Sequence, residues 1–253
     1  MDYSQAFILA FVQGVTEWLP VSSSGHLVIL QHLMGLTVPV AFDVMLHLGT
    51  LFSVLLFMRK DVASIVQKCV ELDFKAPEGR LALYVVVGTI PAGVAGLLFK
   101  SWFESLFSSL KAVGLGLFLT ALLLFASRNA AGRKDVGLKT SIKIGLVQAV
   151  SIIPGVSRSG STISAGLLLG LRRSEAAKFS FLLSIPAIAG ATVVEYRHLD
   201  FSTLTPLLVA SSVLVSFAVG YVSLGLLWKT VNEDKFHLFA YYCLLVGMAL
   251  LLL

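Results

Sequence analysis

Charge is what this sequence has least of. Asp, Glu, Lys and Arg make up 13% of its 253 residues, against about a quarter in soluble domains, and the mean hydropathy is +0.91. That balance excludes an ordinary soluble domain and points to an all-α integral membrane protein. Cysteine is also scarce: Cys69 falls in a charged stretch and Cys243 in an apolar one, which excludes a disulfide framework and a thiol centre. No basic run precedes the first apolar segment, so the start of the chain does not read as a cleaved leader. A net charge of +5 would suggest nucleic acid in a soluble protein. Here its distribution across a bilayer carries the meaning, and no nucleic-acid partner is expected.

Polar groups that are rare elsewhere gather in two stretches. Residues 12–26 read Val-Gln-Gly-Val-Thr-Glu-Trp-Leu-Pro-Val-Ser-Ser-Ser-Gly-His, and residues 147–161 can be laid on them without a gap at an offset of 135, with seven of fifteen positions identical. Gln13/Gln148, Ser22/Ser157, Ser24/Ser159 and Gly25/Gly160 are among the matches. Such self-similarity is a fold-level signal. Segments 4–19 and about 24–35 read as short helices split at Pro20 and the serine run; segments 141–153 and 160–170 are split in the same way at Pro154-Gly155. Each piece is too short to cross a bilayer, and a polar turn between apolar pieces suggests a re-entrant hairpin buried in protein.

Six longer apolar segments, 41–58, 81–99, 110–127, 175–194, 206–228 and 236–253, read as spans, with charged loops at 59–80 and 100–109 and a basic linker at 128–143. The expectation is ten helical segments, six spanning and four forming two re-entrant hairpins, in one transmembrane domain over 1–253. Its repeats run about 1–127 and 128–253. Fifteen of the nineteen Lys and Arg residues then fall on one face, whereas the opposite face carries Lys100, Lys111 and Arg197 and the second turn carries Arg158. The positive-inside rule puts the basic face in the cytoplasm and both termini outside. Three spans separate the hairpins, an odd number, so the repeats are expected to be inverted and their turns to meet near the midplane as one polar site.

Gln13 and Glu17 lie on one helical face. Glu17 either pairs with Arg158, orients or deprotonates a reacting group, or binds a divalent cation together with Gln13. Ser22, Ser23, Ser24 and Gly25 open the second short helix, where hydroxyls and free N–H groups suit a phosphate as well as ordinary capping. Two such turns meeting, with an Arg, a Glu and a His added, favour the phosphate. His26 is placed to act as general base or general acid, while His32, His47, His198 and His237 read as structural. Arg158, between Ser157 and Ser159, matches a phosphate or diphosphate. Asp43 and Glu175 read as structural acids near span starts, and Pro91 and Pro186 as kinks. Trp18, Trp102 and Trp228 suit interfacial anchors, Trp18 also lying beside the first turn. Gly88, Gly93 and Gly96 allow close helix approach and a homodimer without indicating one.

With these residues in view, the chain resembles the undecaprenyl pyrophosphate phosphatase, or bacitracin-resistance, family. The first family motif, Glu or Gln followed after three residues by Glu, matches Gln13 to Glu17 and continues into Leu-Pro-Val-Ser-Ser-Ser-Gly-His at 19–26; the second, Pro-Gly-x-Ser-Arg-Ser-Gly-x-Thr, matches Pro154 to Thr162 in full. The resemblance covers essentially the whole chain. It implies hydrolysis of undecaprenyl diphosphate to undecaprenyl phosphate, in a multi-pass protein of the bacterial plasma membrane whose active site opens outward. It also implies a catalytic core of Glu17, Ser23, His26 and Arg158, with Gln13 assisting. The resemblance leaves the nucleophile open between Ser23 and His26; the expectation is Ser23 as nucleophile, His26 with Glu17 as the acid/base pair and Arg158 as the diphosphate clamp. Ser22, Ser24, Gly25, Ser157, Ser159, Gly160 and Thr162 surround the substrate. Family members use Mg2+ or Ca2+, for which Gln13 and Glu17 are the ligands on offer, and Gln13 where many members have Glu weakens a two-carboxylate site. A second membrane phosphatase class shares the Ser-Gly-His turn but needs a His soon after Ser-Arg. Here none follows Arg158 until His198. The competing reading is a transporter or flippase of a prenyl-phosphate lipid, since broken inverted repeats are transporter architecture; a carrier needs the Arg and the helix dipoles but neither the Glu nor the His.

Overall fold

A computed structural model describes residues 1–130, 132–195 and 204–253. Arg197 and His198, placed above on an outer face and among the structural histidines, lie outside the described residues. The chain is all-helical, without a named strand among the described residues.

The first broken pair is α1 (Tyr3–Trp18) and α2 (Ser23–Leu33). Asp2 and Gln5 form a reciprocal capping box that starts α1, and the extended conformation of Leu19 ahead of Pro20 ends it. Ser22 caps α2 through its hydroxyl, which accepts from the N–H of Gly25 at 3.3 Å. After α3 (Val40–Phe57), α4 (Arg59–Val70), α5 (Pro77–Leu98), α6 (Lys100–Leu106) and α7 (Leu110–Ala126) comes the second pair, α8 (Leu138–Val150) and α9 (Arg158–Leu168). Ser157 caps α9 by accepting from Gly160 N–H at 3.0 Å, so the local cap recurs in the register of the sequence repeat. The chain ends with α10 (Arg173–Glu195), α11 (Pro206–Asn232), a 3-10 turn (Phe236–Leu238) and α12 (Phe239–Leu252).

Four helices, α3, α5, α10 and α11, are long and apolar enough to cross a membrane; α6 and α7 make a fifth candidate as a pair bent by 96°. The apolar segment Phe236–Leu252 is shorter. Two stretches expected as loops are helical. Arg59–Val70 winds into α4, none of whose residues is buried, because its charges lie on one side and leave a modest apolar face. Lys100–Leu106 forms α6 by burying Phe103. α5 and α10 continue through Pro91 and Pro186.

Polarity is distributed inside out. Leu97, Leu98, Val86, Leu122, Val222 and Leu245 are exposed, whereas Gln13, Glu17, Ser23, Ser157, Ser159 and Thr162 are buried. Water would reverse that pattern; a bilayer explains it, and the protein is a multi-pass membrane protein. α1 and α3 pack on α11, α5 on α8, and α7 on α12, with α10 touching α3 and α5. Trp18 is 1% exposed, which corrects its reading as an interfacial anchor, while Trp102 stands exposed and Trp228 packs on Phe57 and Phe181. Gly88 is consumed by packing within the chain, since a Cβ there would meet Leu183 and Ser141 at 2.9 Å. Both cysteines are free.

The second turn lies directly on α7. Gly155 has φ +91°, and a Cβ on it would sit 2.1 Å from the Val113 carbonyl oxygen. Thr120 of α7 accepts from Ser157 N–H at 2.9 Å and shares its own proton between the carbonyls of Gly155 and Gly116, at 3.0 and 3.1 Å. Gly155→Ala is therefore expected to lower stability by about 2–5 kcal/mol, from left-handed strain and overpacking together. Gly93→Ala, whose added Cβ meets nothing within 4 Å, is expected to be neutral or slightly stabilising. Thermal unfolding in detergent distinguishes the two.

Candidate functional site

The carboxylate of Glu17 is where the two turns touch. It ends α1, is 6% exposed, and has every oxygen engaged. Oε1 pairs with the Arg158 guanidinium, which opens α9. Oε2 accepts from Ser23 Oγ at 2.5 Å and from Gln13 Nε2 at 3.0 Å, and lies 3.3 Å from His47 Nε2. The i, i+4 spacing of Gln13 and Glu17 makes the amide contact, and Ser23 reaches the same oxygen because Pro20 turns the chain back at once. The Arg158 guanidinium also lies 5.8 Å from the Trp18 ring centroid, a cation–π contact; the indole N–H donates to Ser53 at 3.1 Å.

Backbone closes the same contact from the other side. Ser22 Oγ accepts from Gly155 N–H at 3.1 Å, besides capping its own helix. Ser22 holds φ at +69°, a conformation that a non-glycine residue keeps only where its surroundings over-determine it. Gly25 lies against Gly155, its missing Cβ replaced by a Gly155 Cα that would be 3.1 Å away.

Beside this junction is a cavity of about 290 Å³. Glu17, Ser22, Ser23, Ser24, His47, Gln148, Ser151, Ser157 and Arg158 line its polar side, and Ala92, Phe107, Ile152, Ala187, Ile188 and Ala191 are part of its apolar side. The arrangement brings together Glu17, Ser23 and Arg158 with Gln13 behind them, and puts Ser22, Ser24 and Ser157 on the wall. Gly25, Ser159, Gly160 and Thr162 are not on the lining. Ser159 bonds Ser157 at 3.2 Å, Gly160 receives the cap, and Thr162 donates to the Arg158 carbonyl at 2.7 Å while bonding Ser180. Their contacts hold the turn in place.

The expected pairing of His26 with Glu17 is not formed. His26 Nδ1 bonds the Ser22 carbonyl at 2.8 Å, its Nε2 bonds the Tyr242 hydroxyl at 2.6 Å, and the two rings stack at 5.6 Å. A carbonyl only accepts, so Nδ1 carries the proton and Tyr242 donates to Nε2. The imidazole on Glu17 is His47, read from sequence as structural because a lone histidine in an apolar helix usually is. Its Nδ1 bonds the Asp43 carbonyl at 2.7 Å, which turns Nε2 toward the Glu17 carboxylate. Asp43 accepts twice from Gln31, at 2.9 Å each. The signal that would have found His47 is the rule that an ionisable group within a span is a functional candidate by default.

Gln13 and Glu17 do not fit a divalent cation. Gln13 brings a neutral amide whose N–H is turned toward Glu17, and the single carboxylate already faces two basic side chains. Among the described residues no group of three or more His, Cys, Asp or Glu is placed to hold a metal ion.

The family model described as bacitracin resistance protein BacA matches residues 6–249. A protein of Korarchaeum cryptofilum named undecaprenyl-diphosphatase is 41% identical, with 99% of each chain covered. Proteins of the same name from Methanobrevibacter smithii and Desulforapulum autotrophicum are 44% and 42% identical, covering 98% of this chain and 96% and 97% of theirs.

Removing one partner of a buried pair strands the other, so Glu17→Ala and Arg158→Ala are each expected to cost about 3–5 kcal/mol. The double variant is expected to cost clearly less than their sum. A double-mutant cycle on thermal or denaturant unfolding measures that coupling.

Proposed function

The chain belongs to the bacitracin resistance protein BacA family, and on that premise we propose that it is an integral membrane lipid phosphatase. It hydrolyses undecaprenyl diphosphate to undecaprenyl phosphate and inorganic phosphate, recycling the lipid carrier of cell-wall synthesis and conferring bacitracin resistance. The observation that carries the reading is a serine hydroxyl held 2.5 Å from a buried carboxylate, with an arginine on that carboxylate's other oxygen, all facing one cavity.

In this reading Ser23 Oγ passes its proton to Glu17 Oε2 as it attacks the terminal phosphorus, and undecaprenyl phosphate leaves. Water then attacks the phosphoserine, releasing inorganic phosphate and returning the proton to Ser23. Arg158 and the helix N-termini of α2 and α9 offset charge developing on the phosphoryl oxygens. His47 keeps the Glu17 carboxylate in place. His26, held by Tyr242, orders the turn through the Ser22 carbonyl. The apolar wall takes the first part of the prenyl chain. Mg2+ or Ca2+ enters only as a counter-ion held by diphosphate oxygens, and no step is assigned to it.

The proposal extends to the layout. Two broken pairs, α1/α2 and α8/α9, act as re-entrant hairpins of inverted halves of one domain. It is supported by recurrence of the Ser22 and Ser157 caps and by α1 packing on α11 as α8 packs on α5. With the basic loops in the cytoplasm the cavity opens to the outer face, where diphosphate is left by carrier-consuming polymerisation.

Phosphate release from a long-chain prenyl diphosphate by the purified protein is expected to fall at least about a hundredfold in Ser23→Ala and Arg158→Ala. An acid-stable phosphoenzyme is expected on trapping, as for phosphoserine; an acid-labile one transfers the nucleophile to a histidine, His26 or the cavity-lining His47. No release from folded protein with Mg2+ or Ca2+ added moves a lipid transporter into first place. For His47, replacement by Gln keeps an N–H donor near Glu17 and is expected to retain most of kcat, whereas His47→Leu is expected to lower kcat by about tenfold or more with a smaller change in KM. Steady-state kinetics on the two variants checks this.

A further inference from the structure

Gln148 sits in the last turn of α8, is 2% exposed, and lines the cavity, yet neither Nε2 nor Oε1 of its side chain has a hydrogen-bond partner. Folding rarely leaves a buried amide wholly unpaired, because it loses water and gains nothing in return. The repeat explains how this one arises. Its counterpart, 135 residues earlier, is Gln13, whose amide is spent on the carboxylate four residues on. The residue four on from Gln148 is Ile152, so the second turn has the amide without the acid.

We propose that Gln148 is a ligand-binding residue whose side-chain amide donates to a phosphate oxygen of the diphosphate in this cavity. Arg158 and the N-terminus of α9 share this wall and draw an anion. An amide meets one without adding charge, and its Oε1 accepts from a P–OH if the terminal phosphate is singly protonated. Other hydroxyls on this wall are already engaged: Ser151 donates to the Gln148 main-chain carbonyl at 2.7 Å, and Ser157 caps α9. The assignment deepens the phosphatase reading and rests on it for the identity of the diphosphate ester, though not for binding of the anion itself.

The test compares wild type with Gln148→Leu and Gln148→Glu in detergent, reading the melting temperature, the Kd for inorganic pyrophosphate, and KM and kcat for a long-chain prenyl diphosphate. Gln148→Leu removes an unpaired buried amide, so its melting temperature is expected to be unchanged or higher while pyrophosphate Kd and KM rise by about tenfold or more. Gln148→Glu, which sets a carboxylate against the anion, is expected to bind more weakly still. Gln148→Met serves the same comparison if the branched side chain does not fold. A wild type that binds pyrophosphate, loses that binding in Gln148→Leu, and releases no phosphate supports the anion contact and defeats the phosphatase reading alone. Unchanged Kd and KM, a loss of binding that only tracks a lower melting temperature, or a wild type that does not bind pyrophosphate overturns the assignment.

Discussion

A largely buried carboxylate and a guanidinium, paired on the wall of one cavity, join the two turns of this chain. Glu17 lies in the last turn of α1 and Arg158 opens α9, and neither charge is tolerable alone in an apolar medium. What makes the pair sustainable is that the carboxylate's lone pairs are also taken up, by Ser23, Gln13 and His47. Such a pair adds little net stability over an apolar contact. It selects one arrangement of the two turns, and every neighbouring contact depends on that selection.

The medium explains the surrounding architecture. Lipid offers helices no hydrophobic reason to associate, so approach is driven by close packing and by polar bonds. Gly155 against Val113 supplies the first and Thr120 the second. The arginine is held by Glu17 before any ligand arrives, which preorganises it.

Much of this was legible beforehand. Proline and the serine run broke the first segment where α1 ends, and the same punctuation placed the second break; Gln13 and Glu17 were assigned one face from their spacing, and Arg158 was singled out as the basic residue belonging to neither side. What escaped were contacts that no local pattern encodes. His47 is thirty residues from Glu17 and looks like any histidine in an apolar helix, and Tyr242 meets His26 across 216 positions. Thr120 is one hydroxyl in an otherwise apolar span. The helix α4 was hidden for a different reason, since charge density suggested a loop although Val62, Ile65, Val66 and Cys69 recur at helical spacing.

The hydroxyl of Ser22 has a consequence for the order in which the protein is made. It caps its own helix, yet it also accepts from Gly155, 133 residues further on. The first turn therefore holds its left-handed serine without its final restraint until more than half of the chain has been synthesised. Contacts of such sequence separation form late, after the loop closure they require. The α1/α2 turn thus stays incomplete until the α8/α9 turn has been made and docks against it.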